Sequence, residues 1–258
     1  MGAARVQAHT VERAGAKLYV EVEGNGAPVL LLHGGLGHMG WFADLRSHLV
    51  GTGWRAVLMD SRGMGRSTLG SEQLSYGVEE RDALAVLDAL KIQNCPVVGF
   101  SDGGIVGYRM AARSDGPVTR LVTIGSRWSA ENGRRRWSLT DSLNRQTLLA
   151  SDWKFIVDDY DCLSPDHDFD RMMRQAALMW KDSGPDGHPE STIERIHVPV
   201  LVVAGDSDDV LSVFDAATAR SKIRGAKLMV IPGAGHACYR ERPEIFNPAV
   251  DRFLRASD

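Results

Sequence analysis

Short apolar runs bounded by glycine or proline alternate along the chain with longer stretches of helical periodicity. Residues 18–22 alternate between apolar and polar positions, which predicts a half-buried strand at an edge of a sheet. Residues 29–32 are continuously apolar, as in a strand buried on both faces. The same pattern recurs at residues 55–59, 96–100, 119–124, 200–204 and 227–231. Apolar side chains at helical spacing mark residues 78–90, 105–112 and 213–223. This alternation predicts an α/β fold with a mostly parallel, doubly wound sheet of about eight strands.

One region departs from the alternation. Residues 127–196 contain no convincing strand pattern, yet they include four of the six tryptophans, namely Trp128, Trp137, Trp153 and Trp180. A structureless connection of this length is improbable in a compact domain. We therefore predict an inserted helical cap over 127–196 that separates two parts of the core, residues 1–126 and 197–258. The alternative is a pair of ordinary crossover helices on the surface.

The composition narrows the function classes. With a net charge of -3, the chain lacks the basic footprint of nucleic-acid-binding proteins, and Arg134 to Arg136 form its only basic run. The three cysteines are widely spaced and predict neither a disulfide framework nor a metal site. No secretory h-region is present at the N-terminus, and no apolar run approaches the ~20 residues of a membrane span. We expect a cytoplasmic protein that acts without a membrane or nucleic-acid partner; its oligomeric state stays open.

A serine at a strand-to-helix junction is the first sign of chemistry. Gly99-Phe100-Ser101-Asp102-Gly103 fits G-x-S-x-G, follows the predicted strand 96–100 and opens the predicted helix 105–112. Flanking glycines allow the sharp turn that lifts a serine hydroxyl above the end of a sheet. Because a serine hydroxyl is a poor nucleophile, Ser101 needs a base to take its proton. The alternative is a glycine-rich turn whose serine only caps the helix.

Candidates for the base and its orienting acid follow two later strands. Asp206, Asp208 and Asp209 come after the strand 200–204, and His236 comes after the strand 227–231. Both positions lie at the carboxyl edge of the predicted sheet, where Ser101 also lies. We predict His236 as the base and Asp208 as the acid, because three residues beyond Gly205 the chain has room to turn back. Asp206 is the reserve candidate.

The glycine-rich segment after the first buried strand predicts an oxyanion hole. His33-Gly34-Gly35-Leu36-Gly37 lets backbone N–H groups approach a substrate oxygen, and we predict the N–H groups of Gly35 and Asp102 as the donors. Such a run also suits a phosphate-binding turn. It does not read G-x-G-x-x-G, however, and no P-loop lysine follows, which argues against nucleotide binding.

In these motifs and their order the chain resembles the α/β-hydrolase superfamily of serine hydrolases over nearly its whole length. His33-Gly34-Gly35 matches the oxyanion segment, and residues 60–67 match the D-x-R-G-x-G-x-S stretch of the superfamily, which we interpret as mostly structural. The elbow, acid and histidine segments follow in the same order. The resemblance implies the fold named above, with a cap where the superfamily inserts one, and no metal or organic cofactor.

Within the superfamily the closest resemblance is to the valacyclovir hydrolases, also called biphenyl hydrolase-like proteins. Gly99 to Gly104 resembles their elbow, in which an aspartate follows the nucleophile, and Glu80-Arg81-Asp82-Ala83 is similar as well. The resemblance implies that Asp102 contacts the amino group of α-amino-acid esters. The alternative is that Asp102 only stabilises the positive N-terminus of its helix, worth ~0.3–1 kcal/mol.

We therefore expect hydrolysis of small carboxylic esters through an acyl-enzyme, and the resemblance implies a preference for α-amino-acid esters. Candidate substrate-binding residues are Asp102, Leu36, Trp128, Trp153 and Trp180, although the tryptophans could instead form the core of the cap. The same triad can cleave lactones, amides or carbon–carbon bonds, or support cofactor-free perhydrolysis. A ligand receptor with vestigial turnover is the alternative from another class, and Ser101 disfavours a dehalogenase.

Overall fold

An eight-stranded sheet forms the centre of the molecule. The computed structural model describes residues 5–131, 140 and 142–256. The strands are β1 (Gln7–Arg13), β2 (Ala16–Glu23), β3 (Pro28–Leu32), β4 (Arg55–Met59), β5 (Cys95–Phe100), β6 (Val118–Ile124), β7 (Val200–Gly205) and β8 (Lys227–Ile231). Their order is β1-β2-β4-β3-β5-β6-β7-β8. β2 pairs antiparallel with both β1 and β4, and all other pairs are parallel. The predicted α/β fold class is confirmed.

Helices cover both faces of the sheet. The described helices are α1 (Ala43–Gly51), α2 (Tyr76–Ala89), α3 (Asp102–Ala111), α4 (Arg145–Leu149), α5 (Lys154–Leu163), α6 (Phe169–Met179), α7 (Val213–Lys222), α8 (Cys238–Glu241) and α9 (Pro243–Arg255). Helices α1 and α9 bury their apolar side chains in one core cluster, while α2, α3 and α7 contribute to the other. None of the described helices is long and apolar enough to cross a bilayer.

Two expectations about the sheet edges are wrong. The strand predicted at 18–22 is half-buried, with Leu18 and Val20 fully buried, but it is not an edge, because β1 pairs along it. The polar sequence of β1 gives no apolar alternation to detect, since most of its side chains face solvent. At the other edge, β8 is not buried on both faces: Leu228 and Val230 are exposed. An edge strand has a neighbour on one side only, which leaves its outer flank open to water.

The regular secondary structure described between β6 and β7 consists of helices joined by turns and loops. It contains α4, α5, α6 and a short 3-10 helix at Glu190–Arg195, and no strand occurs in the described part of 127–196. β6 and β7 pair directly, so the segment leaves the sheet and returns to the neighbouring position. Trp137 and the basic run Arg134 to Arg136 lie outside the described residues.

Candidate active site

Ser101 lies in a strained turn between β5 and α3. Its backbone has φ 50° and ψ -116°, a conformation that costs free energy for any residue with a Cβ atom. Its N–H donates to the carbonyl oxygen of Ile124 (2.8 Å), which ties the turn to β6. A Cβ atom at Gly99 would overlap the carbonyl oxygen of Gly103, and one at Gly104 would overlap Oγ of Ser126. The glycines are therefore needed because the helix begins against the strand it follows.

His236 and Asp208 lie beside this serine. His236 Nε2 is 3.1 Å from Ser101 Oγ, and His236 Nδ1 is 2.9 Å from Asp208 Oδ2. The Asp208 side chain is fully buried, and its second oxygen accepts the N–H groups of Val210 (2.7 Å) and Leu211 (2.9 Å). Phe100 packs against the imidazole, with ring centroids 5.0 Å apart. The backbone N–H groups of Val210 and Leu211 thus hold the Asp208 carboxylate in place, and the carboxylate in turn orients the His236 ring.

The neighbouring acids have other partners. Asp206 lies in an exposed position and accepts the N–H groups of Gly233 (2.8 Å) and Ala234 (3.4 Å), so it links the loops after β7 and β8. Of the three aspartates that follow β7, the structure places Asp208 on His236. Gly125, at φ 58°, leaves room for the His236 ring, because a Cβ atom there would lie 2.9 Å from it.

Two backbone N–H groups near Ser101 have no hydrogen-bond acceptor among the described residues. Among the described residues, neither the N–H of Gly35 nor that of Asp102 donates a hydrogen bond. The Gly34 carbonyl oxygen accepts both the N–H of Gly37 (3.1 Å) and Nδ1–H of His33 (2.8 Å). Since a trans peptide points its C=O and N–H in opposite directions, anchoring this carbonyl fixes where the N–H of Gly35 points.

His33 is itself held from below. Its Nε2 accepts the N–H of Ser61 (2.9 Å), so Nδ1 carries the proton. Burial lowers the pKa of His33, with Asp60 opposing the shift, which keeps the ring neutral at pH 7. Asp60 accepts the N–H groups of Met39 (2.7 Å) and Arg66 (2.8 Å). These contacts agree with the structural role expected for residues 60–67, because they tie the glycine-rich loop to the loop after β4.

Asp102 is a buried carboxylate at the edge of this site. It is 7% exposed, and its Oδ2 lies close enough to Gly35 that a Cβ atom there would overlap it. Tyr76 Oη donates to Oδ1 (2.9 Å), and Trp180 Nε1 donates to Oδ2 (2.7 Å). Burial and the Asp102 charge raise the pKa of Tyr76 well above its usual value, so its hydroxyl remains a donor. Trp180 therefore reaches the site through a hydrogen bond that links the inserted segment to the elbow.

The other predicted substrate-binding residues are distributed unevenly. Leu36 is buried in the glycine-rich loop at φ 59°, beside the N–H of Gly35. Trp128 packs against the core cluster to which α2, α3 and α7 contribute, and Lys222 Nζ lies 5.0 Å from its ring centroid. Trp153 is 46% exposed, and within the described residues no hydrogen bond or ring contact joins it to the triad. The structure therefore brings Leu36 and Trp180 to the site, while within the described residues no hydrogen bond or ring contact joins Trp128 or Trp153 to Ser101, Asp208 or His236.

The inserted segment also contacts the loop that follows the glycine-rich turn. His38 Nε2 lies 3.3 Å from Asp159 Oδ2, and the rings of Trp41 and Phe155 pack with centroids 6.1 Å apart. Trp41 in turn packs near Phe100, with centroids 6.4 Å apart. Helix α5 therefore lies over the oxyanion side of the site. A separate groove of about 790 Å³, lined by residues of α4 and α6, is flanked by exposed Leu149 and Leu178 and includes none of the triad.

Sequence reasoning missed three polar residues around Asp102. Tyr76, Glu79 and His188 are buried, and all three come from segments that carry no catalytic motif. Tyr76 opens α2 and reaches a residue 26 positions later, so no local spacing could reveal the contact. The one available signal was the loop 183–189, whose histidine stands between glycine and proline. No cluster of three or more potential metal ligands occurs within the described residues.

Comparison with known proteins places the chain in a family. A family model described as "Alpha/beta hydrolase family" matches residues 29–249. The chain belongs to the alpha/beta hydrolase family. It is 28% identical to RutD of Caulobacter sp. (strain K31), a protein described as a candidate carbamate hydrolase, over 92% of this chain and 95% of that one.

Other relatives carry other hydrolytic names. 3-Oxoadipate enol-lactonase 1 of Acinetobacter baylyi is 25% identical over 95% of each chain. Among solved structures, the esterase EaEST of Exiguobacterium antarcticum superposes with a TM-score of 0.78, covering 97% of this chain and 100% of that one. At 20% identity, the latter similarity indicates a shared fold. The family supports a hydrolase, while the names span several scissile bonds.

Proposed function

We propose that this hydrolase cleaves small carboxylic esters through an acyl-enzyme on Ser101. The observation that carries the proposal is the chain of two short contacts, Ser101 Oγ to His236 Nε2 (3.1 Å) and His236 Nδ1 to Asp208 Oδ2 (2.9 Å). The serine lies on a strained strand-to-helix turn, and beside it are two N–H groups that have no acceptor in the part of the chain that the structure describes. This arrangement is the one that acyl transfer to a serine requires.

Each residue has one task in this mechanism. Ser101 Oγ attacks the acyl carbon while His236 Nε2 takes its proton, and the carbonyl oxygen becomes an oxyanion bound by the N–H groups of Gly35 and Asp102. Collapse breaks the bond to the leaving alcohol, which takes the proton back from His236. Water then repeats the sequence on the acyl-enzyme, releasing the acid and restoring Ser101. Asp208 keeps the Nδ1 proton in place throughout.

The bond class is tested by a substrate panel. The relatives are named for carbamate, enol-lactone and ester hydrolysis, and a serine nucleophile can in principle attack the acyl carbon of each. We propose esters, and p-nitrophenyl esters of graded chain length should be turned over faster than matched lactones, amides or carbamates. Ser101→Ala should abolish this turnover. Preferred cleavage of a lactone or carbamate would reassign the scissile bond and leave the triad roles intact.

We further propose that α-amino-acid esters are preferred, as the resemblance to the valacyclovir hydrolases implies. The supporting observation is that Asp102 is buried next to Gly35 and forms no ion pair within the described residues. Its two donors, Tyr76 and Trp180, are neutral, so neither of them cancels the charge of the carboxylate; Arg127 acts on Tyr76 from a longer distance. A substrate ammonium would compensate this charge in a covered site, where charge pairs are stronger than in water.

Matched substrates test this preference. L-Phenylalanine ethyl ester and ethyl 3-phenylpropanoate differ only in the amino group, and the first should have the higher kcat/KM. Asp102→Asn should remove the difference while preserving the backbone N–H of the oxyanion hole. Equal kcat/KM values in the wild type would contradict the preference without affecting the proposed triad.

We also propose that residues 127–196 form a cap. Support comes from α5, which contacts His38 and Trp41, and from Trp180, which binds the carboxylate beside the nucleophile. Limited proteolysis should cleave this segment before the core. Cleavage should slow when Ser101 carries a bulky phosphonate, because an occupied site would hold α5 and Trp180 in place.

A further inference from the structure

His188 is a buried side chain with one unused ring nitrogen. It is 3% exposed, and Nδ1 lies 3.1 Å from the carbonyl oxygen of Asp182, which can only accept, so Nδ1 carries the proton. Nε2 is then an acceptor, and within the described residues it is buried without a hydrogen-bond donor. Burial lowers the pKa of His188, which keeps Nε2 available as an acceptor at neutral pH. A buried acceptor without a donor costs free energy, so a donor from outside the protein is expected there.

The position of this nitrogen connects it to the candidate active site. The imidazole packs edge-on against Tyr76, with centroids 4.8 Å apart, and Tyr76 Oη donates to Asp102. Trp180, eight residues before His188, donates to the other oxygen of Asp102. The loop around His188 is fixed to the core by two hydrogen bonds. The backbone carbonyl oxygen of Asp186 accepts the N–H of Gly77 (2.8 Å), and Arg109 donates to the carbonyl oxygen of Gly187 (2.8 Å). His188 is therefore held near Asp102 by several independent contacts.

Two acidic side chains of this cluster favour a cationic ligand. Glu79 lies three residues after Tyr76, on the same face of α2, and is 4% exposed. Burial and the neighbouring charges of Asp102 and Asp82 raise its pKa well above the usual value, against the opposing charge of Arg62. Arg62 is already paired with Asp82 at 2.7 Å, so its charge is largely committed. Within the described residues the cluster thus combines one carboxylate without an ion pair, one buried carboxyl group and one unused nitrogen acceptor, with the positive charge of Arg127 acting on Tyr76 and His188 from nearby.

We propose that His188 is a specificity-determining residue whose Nε2 accepts one N–H of a substrate α-ammonium group held by Asp102. This inference rests on the proposed aminoacyl-ester preference and extends it to a residue of the inserted segment. A primary ammonium has three N–H donors, and a single carboxylate cannot orient all of them. A second acceptor at a fixed angle selects a primary amine over an N,N-dimethylated one, which has a single N–H.

The test compares His188→Phe with His48→Phe. His48 on α1 also has a buried Nε2 without a partner, but α1 packs on β4 and α9, away from Asp102. For each variant, kcat/KM is measured with L-phenylalanine ethyl ester and with ethyl 3-phenylpropanoate. We expect His188→Phe to reduce the ratio of the two values roughly ten- to hundredfold, as loss of a hydrogen bond to a charged group implies. His48→Phe should leave the ratio unchanged.

His188→Gln serves as the conservative variant, because its side-chain oxygen can still accept a hydrogen bond. It should recover part of the ratio, and the N,N-dimethylated ester should be insensitive to all three changes. Equal losses on both esters would show that His188 only supports the fold, and an unchanged ratio would show that water satisfies Nε2. Either result overturns the inference. Labelling of Ser101 by a fluorophosphonate in the same samples tests the proposed nucleophile separately.

Discussion

Asparagine at position 208 would reverse the hydrogen bond that orients the catalytic base. In the wild type, Asp208 Oδ1 accepts the N–H groups of Val210 and Leu211, and Oδ2 accepts Nδ1–H of His236. The two backbone donors fix the orientation of an amide in Asp208→Asn, since only its oxygen can accept from them. Its NH₂ group then occupies the Oδ2 position and donates to Nδ1. The ring is forced to carry its proton on Nε2, where it points at Ser101 and cannot act as a base.

The size of this effect follows from the tautomer. The same change in the triad of a serine protease lowers kcat by about 10⁴-fold, which corresponds to about 5.4 kcal/mol of lost transition-state stabilisation. In this protein the two backbone hydrogen bonds to Asp208, both shorter than 3.0 Å, hold the buried side chain against rotation. We therefore expect a loss of about 10³- to 10⁴-fold in kcat, with a smaller change in KM.

Steady-state kinetics on a p-nitrophenyl ester measures this loss, and Asp206→Asn is the matched control. Asp206 binds two backbone N–H groups in an exposed position, so its variant should keep kcat within about tenfold of the wild type, as surface changes usually do. A structure or thermal melt checks that both variants fold. The reasoning is refuted if Asp208→Asn retains more than a tenth of the activity, or if Asp206→Asn loses as much.

Three further changes probe the nucleophile, the elbow and the buried acid. Ser101→Ala should lower ester turnover by about 10³-fold or more and abolish fluorophosphonate labelling; retained turnover would disprove the nucleophile. Gly104→Ala places a Cβ on Ser126 and should cost about 1–3 kcal/mol in urea unfolding, whereas Gly51→Ala, with open space around it, should be neutral or stabilising. Glu79→Gln should gain stability over the wild type as pH rises above about 5, by at most about 1.4 kcal/mol per unit, because the raised pKa of Glu79 means that its stabilising proton is lost toward high pH. A pH-independent difference would contradict the assignment of Glu79.

The sequence placed Ser101, Asp208 and His236 at one edge of the sheet, and their catalytic roles stay a prediction; the placement was possible because strand ends are easy to locate. Ser101, Asp208 and His236 each follow a strong apolar run, and parallel strands bring their carboxyl ends to one edge of the sheet. Even the choice among three aspartates could be argued from chain length, and the structure places Asp208 on the histidine. The local sequence pattern and the sheet topology together are therefore enough to predict where these three side chains lie.

The surroundings of Asp102 could not be predicted in the same way. Tyr76 and Trp180 reach it across 26 and 78 residues, through packing of α2 and the inserted segment that no periodicity encodes. The surroundings of Trp153 could not be predicted from the sequence either. A tryptophan in the inserted segment is expected to line a pocket, but Trp153 is exposed at the start of α5. The prediction that residues 18–22 form an edge strand was wrong for a related reason. The true edge strand, β1, faces water and carries no apolar alternation that would reveal it.

The position of Asp102 poses an electrostatic problem that the substrate can solve. Two unit negative charges about 5 Å apart repel by about 3 kcal/mol at an effective dielectric constant of about 20, which is as much as one oxyanion donor contributes. An oxyanion bound by Gly35 would form beside the Asp102 carboxylate. The hydrogen bonds from Tyr76 and Trp180 disperse part of this charge, but they are present in the ground state and the transition state alike. A cation that arrives with the substrate would remove the repulsion for one class of ester and leave it for another, so we propose that Asp102 acts as a filter on substrates rather than as a general aid to catalysis.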